Sequence, residues 1–431
     1  MQQALFETEK RIVWLNGQGI DGVGSTKFQI EFSKSFKHKK IVNFKSKAKY
    51  GNSKNFELND FKVVDTDDIF NELKEEGVVY VNSFPNNKNS IAEIDEFYKQ
   101  IEFLHAKGVI LVFFMHFNTM AYFIRQPKIL LGLNFMDYIF TFNADKGEYA
   151  EVVRKYLPHK ANRLRSFGLP FYFDNIEYGG KMNSCIYVGR AASFKQPELM
   201  IELAKHCDLT DVSFNFYGIG RTRDALGIIE NPMTEYLQYG QSPSKGKIGI
   251  YNIAPNAFMQ GLMRSSLFAF SGYKLKSQNY GNKSDYAIYE YINNKCIVIL
   301  TEHFLKNAYV DGKSLFDYNA FLYIKDDLSN LQEVADKMKF FKNNSTLAKE
   351  HVEKQLEIYR EFGNPMRIVN EVESQIRELD SKTMETHALM TKLLGTNVTI
   401  QNVAFDVPDL KLKKPRVYIQ KKSRLAKIFY K

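Results

Sequence analysis

The chain has 431 residues, 44% hydrophobic and 25% charged, which suits two or three folded domains and excludes fibrous and disordered classes. Three cysteines without a CxxC pair and eight histidines without metal-site spacing argue against a disulfide framework or structural zinc, and no apolar run is long enough to span a bilayer. The net charge of +10 is concentrated: Lys411–Lys431 carries nine Lys/Arg and Lys34–Lys49 seven lysines, neither with an acid, a pattern suited to a polyanion such as nucleic acid or to a plain solvated tail.

The first apolar run, Ile12–Leu15, predicts a strand that feeds "LNGQGIDGVGSTKF", residues 15–28. Gly17-x-Gly19-x-x-Gly22 matches a dinucleotide fingerprint, but the next strand, Ile41–Phe44, is followed by "KSKAK" instead of an acid. Gly19-x4-Gly24 begins like a P-loop, but Lys27 falls two positions late. What stays open is a glycine turn that starts a helix near Ser25, either aiming backbone amides at a phosphate or sugar or making a tight turn with no ligand.

Further strands are predicted at Val78–Asn82, Val109–Met115 and Tyr138–Phe142. The helix Ile91–Ala106 lies between the first two, with Ile94, Phe97, Ile101 and Leu104 on one face. A second group of strands covers Ile186–Val188, Val212–Phe216, Leu267–Ser271, Cys296–Leu300 and Phe321–Ile324. Alternation of strand and helix predicts an α/β chain with two doubly wound, Rossmann-like parallel sheets facing across a cleft. The expected divisions are a first domain at 1–168, a linker at 169–183, a second domain at 184–346, a helical return segment at 347–394 and a basic tail at 395–431. The return segment breaks at Phe362–Pro365, where the chain could cross back to the first domain.

"YVGRAASFK", from Tyr187, places Arg190 and Lys195 at the carboxyl end of the second domain's first strand, where ligands of such sheets bind and where a guanidinium and an ammonium suit phosphate. Downstream, "DYAIYEY" places Asp285 at a helix start and Glu290 further in, able to accept hydrogen bonds from a ribose or sugar or to lie on a solvated face.

Taken in order, "GIDGVGSTKF", "VNSFPNNKNS", His116, "GRAASFK", "FYGIGR", "IAPN", "SGYKL" and "DYAIYEY" resemble the bacteriophage DNA α-glucosyltransferases of the T-even type, from about Arg11 to Asp327. The resemblance implies the GT-B fold and a retaining transferase using a UDP-sugar, with UDP-glucose first in line. It also implies double-stranded DNA bearing hydroxymethylated pyrimidines, 5-hydroxymethylcytosine among them, as acceptor. No cofactor or resident metal is implied, no membrane is involved, and the setting is the cytoplasm of an infected bacterium, where modified DNA evades restriction.

Carried across by residue, the resemblance implies a donor set of Gly19, Gly22 and Gly24 in the loop, Arg190 and Lys195 on the diphosphate, and Gly218, Tyr273, Asp285, Tyr286 and Glu290. His116, Asp21, Arg190 and Lys195 would serve the chemistry. The acid that follows the family's histidine is Phe117 here, with Asn118 next, and Asp21 replaces the loop glutamate. The basic tracts offer Lys37, Lys39, Lys40, Lys45, Lys47, Lys413, Lys414, Arg416, Lys421 and Lys422 to DNA. Rival readings are a transferase that extends a sugar already on DNA, a GT-B enzyme with a polysaccharide, lipid-linked or small acceptor, and a catalytically idle DNA-binding protein on the same scaffold.

Overall fold

A computed structural model describes residues 8–17, 24–44, 58–85, 89–116, 128–141, 148–189, 191–192, 195–218, 227, 229–238, 240–251, 256–273, 286–310 and 313–377. Seven strands make the first sheet: β1 (Thr8–Asn16), β2 (Phe36–Phe44), β3 (Phe61–Thr66), β4 (Val78–Ser83), β5 (Ile110–Met115), β6 (Tyr138–Thr141) and β7 (Leu164–Ser166). Their spatial order is β3-β2-β1-β4-β5-β6-β7, and every pairing is parallel.

The second sheet uses β8 (Met182–Val188), β9 (Ser213–Tyr217), β10 (Thr234–Leu237), β11 (Ile248–Tyr251), β12 (Ser266–Ser271) and β13 (Ile297–Thr301). A small antiparallel pair follows, β14 (Tyr309–Val310) with β15 (Lys313–Ser314), before the sheet's last strand, β16 (Leu322–Ile324). The order here is β10-β11-β9-β8-β12-β13-β16, again all parallel. Chain order reverses between β1 and β4 in one lobe and between β8 and β12 in the other. Loops leaving the two neighbouring strands diverge at such a point and open a crevice at the carboxyl edge.

The apolar runs become interior strands because helices cover both faces. Trp14 on β1 is fully buried against Phe28, Phe32, Tyr80 and Phe114, and its indole N–H donates to Ser33 Oγ at 2.8 Å. Phe28 and Phe32, four apart, form the inner face of the Gly24–Ser33 helix. The Ile91–Lys107 helix starts with a Ser90/Glu93 capping box, ends at left-handed Gly108 and buries Phe97, Ile101 and Leu104.

Four strands of the two large sheets escape the sequence pattern, β3, β7, β10 and β11, as does the small β14/β15 pair. β3, β7 and β10 are edge or near-surface strands with mixed exposure, and β11 carries Gly249 in its middle. After β16 the chain forms helices Leu331–Asn343, Ser345–Phe362 and Pro365–Arg377, the last two parted at Gly363-Asn364. The final helix reaches the first lobe, where Tyr138 and Arg165 donate side-chain hydrogen bonds to Gln375. The three cysteines are free thiols, Cys185 and Cys296 buried.

Candidate active site between the lobes

Gly17 directly follows β1, and its N–H donates to Ser83 O at 2.8 Å. A Cβ on Gly17 would stand 2.6 Å from Pro85 N, so glycine is required where the exits of β1 and β4 converge. Gly24 opens the Gly24–Ser33 helix, one residue before the predicted start. Gly19, Asp21 and Gly22 lie outside the described residues, as do Phe117 and Asn118.

Buried amides line this edge. Asn16, Asn43 and Asn82 end or nearly end β1, β2 and β4, and Gln29 faces them from the helix. Asn82 Nδ2 donates to Asn16 Oδ1 at 3.1 Å, Asn16 Nδ2 to Asn43 Oδ1 at 3.0 Å, and Gln29 Nε2 to Asn16 Oδ1 at 3.0 Å. His116, just beyond β5, joins them through Nε2, 2.7 Å from Asn82 Oδ1. Its half-buried ring packs edge-on against Phe28 and Phe167. Burial pushes the imidazole down to about 3, so it is neutral at ordinary pH and offers one donor and one acceptor.

At the second lobe's carboxyl edge, Gly189 and Gly218 end β8 and β9 with φ of +147° and +75°. Gly189 N–H donates to Tyr217 O at 2.9 Å. Lys195 returns over this floor, its Nζ 3.8 Å from where a Gly189 Cβ would lie. Its carbonyl lies against the exit of β12, 2.7 Å from a Cβ placed on Gly272. Next to it Tyr273 is buried, its N–H donating to Thr301 Oγ1 at 3.2 Å and its carbonyl accepting from that hydroxyl at 3.0 Å. Gly272→Ala would force the Lys195 segment outward. Overpacking of this kind costs about 1–3 kcal/mol, so the unfolding free energy measured in urea is expected to fall by about that amount.

The Tyr286–Asn293 helix closes the site from behind. Tyr291 is anchored at the end of β8, its hydroxyl accepting from Val188 N–H at 2.7 Å. Tyr286 is buried, its phenol held well above its usual range by desolvation, and its hydroxyl has no hydrogen-bond partner among the described residues. Glu290 forms an ion pair with Lys27 of the first lobe. The Lys27 ammonium also lies 5.4 Å from the Phe171 ring centre and 5.2 Å from that of Tyr286. This pair joins the lobes at the crevice; the sequence pointed to Glu290 as a site residue but to Lys27 only as a lysine two positions late for a P-loop. The available signal was "GSTKF", which places Lys27 on the first turn of the helix.

Arg190 and Asp285 lie outside the described residues, as do Lys45, Lys47, Lys413, Lys414, Arg416, Lys421 and Lys422. Lys37, Lys39 and Lys40 sit in the first half of β2, at the end of the sheet opposite the crevice. Lys37 is exposed, and Lys39 lies 3.9 Å from Asp60 and over the Phe61 ring. Lys40 corrects the sequence expectation. It is 6% exposed, with Nζ 3.0 Å from both Glu72 Oε2 and Glu72 O and 3.6 Å from Glu76, so the fold uses its charge internally. Among the described residues no group of three or more His, Cys, Asp or Glu side chains is placed to hold a metal ion, and no helix is long and apolar enough to cross a membrane.

Two doubly wound lobes, with crevices at the carboxyl edges of both sheets and a cross-lobe contact between them, define the GT-B fold of glycosyltransferases. Among solved structures, alpha-glucosyltransferase in complex with UDP-glucose and DNA containing an abasic site is similar over 85% of this chain and 99% of that one, with a TM-score of 0.75 and 17% identity. The same enzyme with UDP and a 13-mer DNA containing an HMU base gives a TM-score of 0.74 at 17% identity and the same coverage. Anabaena HepE in complex with UDP and glucose is similar over 86% of this chain and 100% of its own, with a TM-score of 0.56 and 10% identity. No protein-family model and no curated protein sequence matches the chain.

Proposed function

We propose that this protein transfers a sugar, glucose in the first instance, from a UDP-sugar to a hydroxymethylated pyrimidine in double-stranded DNA, with retention at the anomeric carbon. One observation carries the reading. Nearly the whole of an alpha-glucosyltransferase seen with UDP-glucose and DNA is matched in fold, whereas HepE is matched at a TM-score of only 0.56.

The diphosphate of the donor would occupy the β8/β12 crevice. Lys195, with Arg190, would neutralise the charge that grows as the anomeric C–O bond breaks. Gly218, Tyr273, Tyr286 and Glu290 would complete the donor site, with Asp285 at the helix entrance. The acceptor's hydroxymethyl oxygen attacks the same face of the oxocarbenium-like sugar, and its proton passes to a diphosphate oxygen of the leaving UDP. His116 would orient hydroxyls, with Asp21 and the loop glycines above the sugar. The target nucleotide would be turned out of the duplex into the cleft. Lys45, Lys47 and the tail lysines and arginine would meet phosphates without reading sequence. In an infected bacterium such marking would shield phage DNA from restriction.

The test is mass analysis of nucleosides after incubating the protein with hydroxymethylcytosine DNA, hydroxymethyluracil DNA, pre-glucosylated DNA and a panel of UDP-sugars. A hexose added to a hydroxymethyl base is expected. Donor binding with no sugar on any of these DNAs overturns the reading.

A further inference from the structure

Lys27 and Glu290 each stand at the unfavourable end of their own helix. Lys27 lies in the first turn of the Gly24–Ser33 helix, which has no acid there. Glu290 lies in the last turn of the Tyr286–Asn293 helix, which has no base there. The helix dipole disfavours a cation at the amino end and an anion at the carboxyl end. A local partner does not explain the lysine either. Glu31, one turn on along the same helix, is engaged instead by the Lys34 ammonium at 2.8 Å and the Tyr172 N–H at 3.2 Å. The compensation for both charges comes across the lobes, from the Lys27–Glu290 pair itself.

The surroundings hold this pair in place. The Lys27 ammonium lies against the rings of Phe171 and Tyr286, and Phe171 is fixed by its N–H donating to Gly363 O at 2.9 Å. The helix that carries Glu290 is fastened at its last residue to the segment between β7 and β8. There Asp174 N–H donates to Asn293 Oδ1 at 2.7 Å, and Asn293 Nδ2 donates to Asp174 Oδ2 at 3.0 Å. Lys27 meets Oε1 of the carboxylate, which leaves Oε2 to accept from a ligand, and the Glu290 side chain is 21% exposed. An oxygen with two lone pairs matches two vicinal hydroxyls.

We propose that Lys27 is a positioning residue of the donor site, supplied by the opposite lobe. It holds Glu290 so that the second carboxylate oxygen accepts from a vicinal diol of the sugar nucleotide, and donor affinity thereby depends on contact between the lobes. The assignment rests on the glycosyl-transfer reading. Ribose and hexose both offer such a diol, and the ligands of the test tell them apart.

The experiment is titration calorimetry of the full chain with UDP-glucose, UDP and 2′,3′-dideoxy-UDP. Lys27→Met, which keeps the apolar stem and removes the charge, is expected to weaken UDP-glucose binding about tenfold. Lys27→Arg is expected to recover most of that loss. Equal weakening of UDP assigns the diol to the ribose, and UDP bound as tightly as by the parent assigns it to the glucose. The dideoxy compound carries neither diol. It is expected to bind the parent and Lys27→Met alike, which also shows that the variant keeps its fold. In a Glu290→Ala background, Lys27→Met is expected to cost no further affinity, because the lysine acts through the carboxylate. Equal weakening of all three ligands would make Lys27 a purely structural contact, and tighter binding would make it a competitor of the donor. Either result overturns the proposal, as does unchanged UDP-glucose binding. A parent that binds none of the three overturns the transferase reading and this assignment with it. A parent that binds them, beside a Lys27→Met that behaves identically, overturns this assignment alone.

Discussion

In the proposed sugar-transfer reaction, Lys195→Ala is expected to lower both transfer and the slow hydrolysis of UDP-glucose by about 10²–10³-fold, the usual loss when one preorganised donor to developing charge is removed. The expectation comes from placement. β8 and β9 end in glycines whose positive φ lets the backbone turn away at once. That leaves an open floor, with the Lys195 ammonium 3.8 Å from where a side chain on Gly189 would begin. The segment is pinned from the other side by its carbonyl against Gly272, so the cation is held over the floor instead of ranging through solvent. As the glycosidic bond breaks, negative charge accumulates on the diphosphate, and a fixed cation stabilises that state more than the ground state. Lys195→Arg keeps the charge with a different shape and is expected to retain part of the rate. Hydrolysis needs no DNA, so parallel losses in both reactions locate the defect at the leaving group. Unchanged rates in Lys195→Ala would remove the residue from the site.

Much of the architecture was legible because parallel strands covered on both faces leave continuous apolar runs. Ile12–Leu15 and Cys296–Leu300 are such runs, and both became interior strands. β3 was hidden because it is an edge strand with Lys62 and Asp65 at two of its three exposed positions, and β11 because a glycine interrupts its pattern. At the site, sequence order placed Lys195 on a loop and Glu290 on a helix that follow strand ends at the carboxyl edge. It could not pair Glu290 with Lys27, 263 residues away, since that contact exists only once the lobes face each other. The amide row was half visible. Asn16, Asn43 and Asn82 each sit at or near the end of an apolar run, but their connection depends on the sheet order β3-β2-β1-β4-β5. Lys40 shows the opposite failure. A lysine in a basic tract reads as surface charge until the fold supplies Glu72 and Glu76 beside it.

Stability is expected to fall steeply as pH drops below 6.5, with His105, His116 and His351 as principal causes. Burial lowers these imidazoles to about 4, about 3 and about 4 respectively. In the unfolded chain each takes up a proton as pH passes below its ordinary value near 6.5. In the folded chain protonation waits until about pH 4 or below, so across this window the unfolded state binds more protons. The stabilisation is complete above pH 6.5 and is lost as pH falls toward the folded values. Each group contributes up to about 1.4 kcal/mol per pH unit, and the set up to about 4 kcal/mol per pH unit. His351 allows a clean test. Its ring packs 4.8 Å from that of Phe341, and its Nε2 has no hydrogen-bond partner among the described residues. It lies on the Ser345–Phe362 helix, away from the crevice residues. His351→Phe keeps the packing and removes the proton uptake. Urea unfolding at pH 7.5 and pH 5.5 should therefore show the variant losing about 1.4 kcal/mol less between the two pH values than the parent, with sugar transfer unaffected. An identical pH slope in the two proteins would return the acid sensitivity to the carboxylates.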